Sequence, residues 1–306
     1  MKESIKKASI LVEALPYLQQ YRNKTFVIKL GGSTMEDDAI VTSILRDAVF
    51  LEQAGIRVII VHGGGKAITA AMNKAGLKSE FVEGLRVTDK ATIGIVEKVL
   101  VNEINAGLVK KIKDLGGTAV GFSAADNGVL HCKKEYVIKE ENGKKKKIDI
   151  GYVGQITDIY THPIYRLLNV ERIPVIAPLG LGAEGMVYNI NADVAACEIA
   201  GRLKVEKLIF ITDVDGILNG KELLSSLSIG DVDRLIKEKV ITGGMIPKSK
   251  SMIKALKRGV QKTHIINGNI EHSLLLEIFT GSGIGTELYR CPSATLRARG
   301  KNLGKK

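Results

Sequence analysis

The sequence predicts an α/β fold, a three-layer αβα sandwich around a mostly parallel central sheet. Three observations carry this reading. Short apolar runs, TFVIKL at Thr25–Leu30, IRVIIV at Ile56–Val61 and KLIFIT at Lys207–Thr212, alternate with segments of helical spacing. Those runs are apolar nearly throughout, as strands covered on both faces are. Glycine clusters follow strands at Gly31-Gly32, Gly63-Gly64-Gly65, Gly180–Gly185 and Gly243-Gly244, at the carboxyl ends where open α/β sheets bind ligands.

Taken in order, Ile5, Ala8, Val12 and Leu15 recur at helical spacing, which predicts a helix over residues 3–20. It precedes the first strand, so its apolar stripe has no obvious core of its own to cover. The strand 25–30 follows, then a helix over 36–54, the strand 56–61, and a glycine turn into another helix. A long helical stretch is expected over 89–115, with Gly107 as a point of interruption. Strands are expected at 118–122, 129–139 and 148–156, a helix at 161–170 and a strand at 173–177. The alternation resumes with a helix over 192–203, a strand over 207–212, helices over 231–239 and 246–258, and a strand over 262–266. Between Lys133 and Lys147, Glu141-Asn142-Gly143 marks a hairpin turn between strands that carry seven lysines. No internal repeat and no long polar linker separates independent domains.

The 306 residues carry 45 Lys+Arg against 33 Asp+Glu, a net charge of +12, and 45% hydrophobic residues. Enough apolar surface is present for a core, which excludes intrinsic disorder. No apolar run approaches the ~18 residues of a membrane span. Cys132, Cys197 and Cys291 are odd in number and widely spaced, which argues against a disulfide framework or zinc site. The N-terminal lysines precede an apolar run broken by Glu13 and Pro16, so a cleaved leader is not indicated and a cytoplasmic location is expected. The basic balance directs attention to anionic partners.

Two familiar motifs fail on inspection. Gly180-Leu-Gly182-Ala-Glu-Gly185 has dinucleotide-fingerprint spacing, but an extended segment rather than a helix follows it. Gly63-Gly-Gly-Lys66 lacks P-loop spacing, with Ile60 where the first glycine belongs. Two lysines stand out instead. Lys29 lies inside a buried strand, where a lysine needs an anion or acid. Lys248 opens a helix, where a cation opposes the dipole. Asp193 is a candidate acid for both, and Arg86 in a polar loop suits a bidentate carboxylate clamp. His62 is assigned a supporting or packing role.

These residues lie in a recognisable order. Lys29-Leu-Gly-Gly-Ser, His62-Gly-Gly-Gly65, Glu83-Gly-Leu-Arg-Val-Thr-Asp89, Tyr188-Asn-Ile-Asn-Ala-Asp193, Thr212-Asp-Val-Asp-Gly216 and Gly243-Gly-Met-Ile-Pro-Lys248 closely resemble the acetylglutamate kinases of the amino-acid kinase family. The resemblance runs from about residue 5 to residue 286. It implies the amino-acid kinase fold and ATP-dependent phosphorylation of the side-chain carboxylate of N-acetyl-L-glutamate, a step of arginine biosynthesis. Lys29 and Lys248 would stabilise the transferring phosphoryl group, with Asp193 orienting both. Gly31 and Gly32 would give backbone N–H groups to the phosphates. Gly64, Gly65, Arg86 and Asn189 would hold acetylglutamate. Asp213, Gly216, Leu218, Gly243, Gly244 and Met245 would line the ATP pocket, with Mg²⁺ carried by ATP rather than by a protein ligand set. A γ-carboxylate with a pKa of ~4.3 is already ionised, so the attack needs no general base.

Within this resemblance, Glu13-Ala-Leu-Pro-Tyr17 and Leu274–Gly283 match arginine-inhibited members. Tyr17, His264, Glu277 and Gly283 would then surround arginine, with Glu277 taking the guanidinium as a forked ion pair. The N-terminal helix would pair with that of another dimer in a hexameric ring, a trimer of dimers, with a dimer as the simpler assembly. The implied division is an oligomerisation helix (1–21), an acyl-substrate lobe (22–188), a nucleotide lobe (189–286) and a basic tail (287–306). Three features depart from the pattern. Ser123-Ala-Ala-Asp126-Asn127 stands where the family more often has Ser-Gly-Lys-Asp-Gly, Gln20 replaces a position often basic, and the tail has no counterpart. Competing readings are a kinase for an acylated aminoadipate or other amino-acid carboxylate, and a nucleic-acid-binding protein using the lysine hairpin and tail.

Overall fold

The computed structural model describes residues 1–124, 128–141, 144–281 and 283–290. The Asp126-Asn127 departure, the Asn142-Gly143 turn, Cys291 and the tail from residue 291 fall outside the described residues. Among the described residues, no helix is long and apolar enough to cross a membrane.

The central sheet is built from β1 (Thr25–Leu30), β2 (Arg57–His62), β5 (Ala119–Phe122), β8 (Ile173–Ile176), β11 (Lys207–Thr212), β14 (Ser226–Ser228), β15 (Lys262–Asn267) and β16 (Thr286–Tyr289). Its order is β14-β16-β15-β11-β1-β2-β8-β5. Every neighbouring pair is parallel except β15 with β16. The helices are α1 (Lys2–Tyr21), α2 (Asp38–Gln53), α3 (Gly65–Lys74), α4 (Lys90–Glu97), α5 (Ala106–Asp114), α6 (His162–Leu168), α7 (Ala192–Leu203), α8 (Ile229–Lys237), α9 (Met245–Lys257) and α10 (Ser273–Phe279).

Alternation along β1 decides which helices meet which side chains. Phe26, Ile28 and Leu30 join the cluster containing Ile44, Leu45 and Ala48 of α2 and Ile112 of α5. Val27 joins the opposite cluster, with Ala195, Ala196 and Ile199 of α7 and Met252 and Ala255 of α9. A strand period of two therefore turns Lys29 toward α7 and α9. The parallel pairing also sets the carboxyl ends of β1, β2 and β11 side by side, with Lys29 level with Val61 and Phe210. The helix α2 begins at Asp37, whose carboxylate accepts the N–H groups of Ala39 and Ile40.

Several expectations change. The stretch expected as one helix over 89–115 is helical throughout, but Lys98–Asn105 is wound as a π-helix between α4 and α5, and the irregularity precedes Gly107. The strands expected at 129–139 and 148–156 are longer: β6 (Leu130–Glu141) and β7 (Lys144–Ile159) form a hairpin. With β9 (Leu179–Leu181) and β10 (Val187–Asn189) they close a four-stranded ring apart from the central sheet. The short pairs β3 (Phe81–Val82) with β4 (Leu85–Arg86) and β12 (Leu218–Asn219) with β13 (Glu222–Leu223), the edge strand β14 with its neighbour β16, and the helix α10 had no sequence expectation. Such segments are too short for a periodicity to register. The helix expected from 231 begins at Ile229, because Ser228 and Asp231 form a capping box.

The stripe of α1 is left open. Ile5, Val12 and Leu15, with Ile10 and Leu11, are exposed, while Tyr21 at its end packs edge-on against Phe26 at 5.3 Å. Phe26 is fully buried. Replacing Phe26 by Ala is expected to lower unfolding free energy by about 3–5 kcal/mol, read as a shifted denaturant midpoint with an unchanged m-value.

Candidate active site

Residues from β1, α7 and α9 converge beyond the carboxyl end of β1. Lys29 Nζ lies 2.7 Å from Asp193 Oδ1, and Lys248 Nζ donates to Asp193 Oδ2, also at 2.7 Å. Asp193 is held by its helix: the Asn191 side chain caps α7 by accepting from the N–H groups of Asp193 and Val194. Lys248 sits in the first turn of α9, against the dipole, and the Asp193 carboxylate offsets this. It also lies 4.9 Å from the centre of the Phe210 ring.

The electrostatics follow from burial. Desolvation opposes ionisation of Asp193, but the two ammonium groups outweigh it and hold the carboxyl down to about 2. Burial pushes the Lys29 ammonium below its ordinary value, and Asp193 opposes that fall. Two cations facing one carboxylate leave an excess positive charge for an incoming anion. The following glycines are shaped by this cluster. A Cβ on Gly31 would land on the Lys29 ammonium, and Gly32 takes φ +73°, a conformation that favours glycine.

Lys29 and Asp193 line a cavity of about 260 Å³ together with Gly31, Gly32, Gly64, Gly65, Arg86 and Asn189. Arg86 is buried and its guanidinium donates to Ser79 Oγ at 2.6 Å, Gly65 O at 2.7 Å and Thr69 Oγ1 at 2.8 Å. It stacks over Phe81 at 4.7 Å. No carboxylate pairs with Arg86 among the described residues, and burial lowers its pKa. Asn189, at the end of β10, donates to Thr88 Oγ1 at 3.4 Å. Thr88 in turn donates to Arg86 O at 2.9 Å, so one buried hydroxyl ties the two expected substrate residues together. Thr88 was missed by sequence reasoning; only its place inside Gly84–Asp89 could have signalled it.

The remaining expected residues fall in two places. Asp213 lies just beyond β11 and accepts from Ser33 Oγ at 2.5 Å, which holds its carboxyl below the ordinary range. Gly216 is buried against Thr286, while Leu218, Gly243 and Gly244 are exposed and Met245 is half-buried at the start of α9. Tyr17, His264, Glu277 and Gly283 line a separate cavity of about 470 Å³ between α1, α10 and the strands β14 and β15. There His264 Nδ1 donates to Glu277 Oε1 at 2.6 Å, and Glu277 Oε2 accepts from the N–H groups of Ile284 and Gly285. The carboxylate expected to receive a guanidinium is thus already ordered by three donors. Lys207, pushed down to about 8 by burial, reaches His264 Nε2 at 3.1 Å. Tyr21, Lys207, Lys262 and Glu287 also line this cavity and were missed; a lysine opening an otherwise apolar strand was the available signal for Lys207.

Replacing Asp193 by Asn leaves Lys29 buried without its acid and is expected to cost about 3 kcal/mol, the lower end for breaking a buried pair. The folded carboxyl lies near 2 against an ordinary 3.8, so its stabilisation is complete above the unfolded value. The stability gap between wild type and Asp193→Asn is expected to stay flat above pH ~4 and to close as pH falls toward about 2. Urea titrations across this range check it; a gap that closes near neutrality contradicts the assignment.

A family model described as the amino acid kinase family matches residues 24–267. The acetylglutamate kinase of Geotalea daltonii is 48% identical over 290 residues, covering 94% of this chain and 99% of that protein. An N-acetylglutamate synthase from Neisseria gonorrhoeae, solved with coenzyme A and N-acetyl-glutamate, superposes with a TM-score of 0.81 at 25% identity, over 93% of this chain and 64% of the synthase. The same synthase solved with coenzyme A and L-arginine gives a TM-score of 0.79 at 25% identity, over 93% of this chain and 65% of the synthase. The paired lysines on Asp193, the glycine turns at the strand ends and a match over nearly the whole length agree: the chain belongs to the amino acid kinase family and, within it, to the acetylglutamate kinases.

Proposed function

We propose that this chain transfers the γ-phosphoryl group of ATP to the γ-carboxylate of N-acetyl-L-glutamate, forming N-acetyl-L-glutamyl 5-phosphate in arginine biosynthesis. The observation that carries this is a buried arginine, Arg86, that has no carboxylate partner among the described residues and lies in the same cavity as Lys29 and Asp193. That cavity offers one cationic group to each end of a small dicarboxylate, which is the charge pattern of acetylglutamate.

The division of labour follows. Arg86 pairs with the carboxylate that does not react, with Asn189 on the acyl-amino part, and the N–H groups of Gly64 and Gly65 at the opening of α3 hold the reacting end. A γ-carboxylate oxygen forms a bond to the γ-phosphorus as the bond to the β-phosphate oxygen breaks, and ADP departs with that electron pair. No proton moves, because the nucleophile enters ionised. Lys29 and Lys248, spaced by Asp193, neutralise charge on the equatorial oxygens and bring two anions together. Gly31 and Gly32 give N–H groups to the phosphates. Asp213, Gly216, Leu218 and Gly243–Met245 line the nucleotide side. Mg²⁺ carried in with ATP would supply further charge neutralisation; the Asp193 carboxylate fits this arrangement by facing lysines rather than a metal. On this reading residues 22–188 form the acyl-substrate lobe, residues 189–286 the nucleotide lobe, and the enzyme is cytoplasmic.

Hydroxamate trapping of the acyl phosphate with acetylglutamate, glutamate and acetylaminoadipate is the direct test. Turnover with acetylglutamate is expected, and Lys29→Ala or Lys248→Ala is expected to lower kcat by about 10²–10³-fold with a modest change in KM. Turnover with acetylaminoadipate alone would move the assignment to the longer acceptor.

A second reading concerns regulation. The cavity holding Tyr17, His264, Glu277 and Gly283 brings an ordered carboxylate to the end of α1, and we assign it to inhibitory arginine. The exposed stripe Ile5, Val12 and Leu15 would join α1 to that of a second dimer, in a hexamer. Millimolar arginine is expected to reduce activity and raise the melting temperature, and Glu277→Gln to weaken both effects. Arginine that changes neither removes this site.

A further inference from the structure

The helical segment that departs from α-geometry, Lys98–Asn105, lies directly beneath the Gly63-Gly64-Gly65 turn. A Cβ on Gly64 would meet Leu100 Cδ2 at 2.6 Å and Ile104 Cδ1 at 2.8 Å, both on this π-helix. Asn105, its last residue, is buried and donates through Nδ2 to Val175 O at 2.9 Å and to His62 Nε2 at 3.1 Å. His62 is fully buried, and its Nδ1 bonds Gly63 O at 2.8 Å. Since a carbonyl only accepts, Nδ1 carries the ring proton and Nε2 receives the Asn105 N–H. The direction of every bond in the series is thereby set. Gly63 is tied on its other side too, its N–H donating to Leu30 O at 2.7 Å.

Burial pushes His62 down to about 4, so the ring is neutral at physiological pH. An added proton on Nε2 would face the Asn105 amide donor. A Cβ on Gly121 would land on the Asn105 Oδ1 atom, so the asparagine is sterically confined as well as hydrogen-bonded. A buried polar chain of this kind, linked at Asn105 Nδ2 and at both ring nitrogens of His62, favours one geometry, and π-helical segments commonly sit at functional sites.

We propose that Asn105 and His62 are positioning residues for the acceptor: acting in series from the π-helix, they set the Gly63 carbonyl and so aim the Gly64 and Gly65 N–H groups at the reacting carboxylate. This deepens the acetylglutamate kinase reading and rests on it for the identity of the acceptor. Neither side chain touches the acceptor. Their effect is transmitted through the glycine backbone, which has no side chain of its own to hold it in place.

The test separates acceptor binding from general damage. Asn105→Leu keeps the approximate volume and removes both donors. It is expected to raise KM for acetylglutamate by about 10- to 100-fold, with KM for ATP near the wild-type value. His62→Gln is expected to show the same split. In the wild-type protein, ¹⁵N chemical shifts of the His62 ring are expected to show a protonated Nδ1 and a bare Nε2 throughout the neutral range. A protonated Nε2, or folded variants whose acceptor and ATP KM values change in parallel, overturns the proposal. If Asn105→Leu does not fold, His62→Gln and the wild-type ring shifts decide. If the wild-type protein does not phosphorylate acetylglutamate, the acceptor assignment fails, whereas the ring shifts still report on the relay.

Discussion

A single carboxylate, that of Asp193, organises the reacting end of this molecule. Lys29 arrives from the central strand and Lys248 from the start of α9, and neither position suits a lysine alone. One is buried in a sheet and the other opposes a helix dipole. Asp193 meets both at 2.7 Å, so three elements distant in sequence are tied at one point. The arrangement keeps two cations apart and aimed in one direction while cancelling only half of their charge. On the proposed reading, this charge is in place before any phosphoryl group arrives, which is where preorganised charge contributes most to rate.

The geometry around this point follows from the parallel sheet. Because β1, β2 and β11 run together, their carboxyl ends deliver three successive loops to one edge: Gly31-Gly32, Gly63–Gly65 and the Asp213 turn. The first two line one cavity with Arg86 and Asn189, although Arg86 comes from a two-residue strand and Asn189 from the closed four-stranded ring. The buried Thr88 hydroxyl joins those last two residues, donating to Arg86 O and accepting from Asn189 across 101 positions of sequence. The cavity thus draws side chains from the central sheet, from a short hairpin and from the four-stranded ring, whose Leu130, Cys132 and Ile159 share a buried cluster with Val27 of β1.

Much of this was legible from residue type and spacing. TFVIKL announces a buried strand, and a lysine within it announces an anion or an acid. The helix that carries Asp193 is read at 192–203, where the structure shows Asn191 capping it. The order of the glycine motifs was enough to point to the family. The Ser228–Asp231 capping box, by contrast, was written in the sequence and was passed over, which cost two residues at the start of α8. The four-stranded ring was not legible, since two of its strands are three residues long and two of its pairings are parallel between distant segments. Nor was the π-helix, because the apolar spacing that runs from Val96 of α4 into its Val99 and Leu100 also fits an ordinary helix.

By itself the sequence determined the fold class, the glycine turns at the strand ends, and the two lysines with their acid, beside an acetylglutamate kinase resemblance that implies anionic ligands. Each of these rests on local chemistry: a buried charge needs a partner, and a glycine turn at a strand end exposes N–H groups. Only the tertiary structure decided which groups share a cavity, that Arg86 has no acid of its own among the described residues, and that Asn105 and His62 stand behind the glycine turn. Those facts depend on contacts between residues 43 to 101 positions apart, and no local spacing encodes a distance across a sheet.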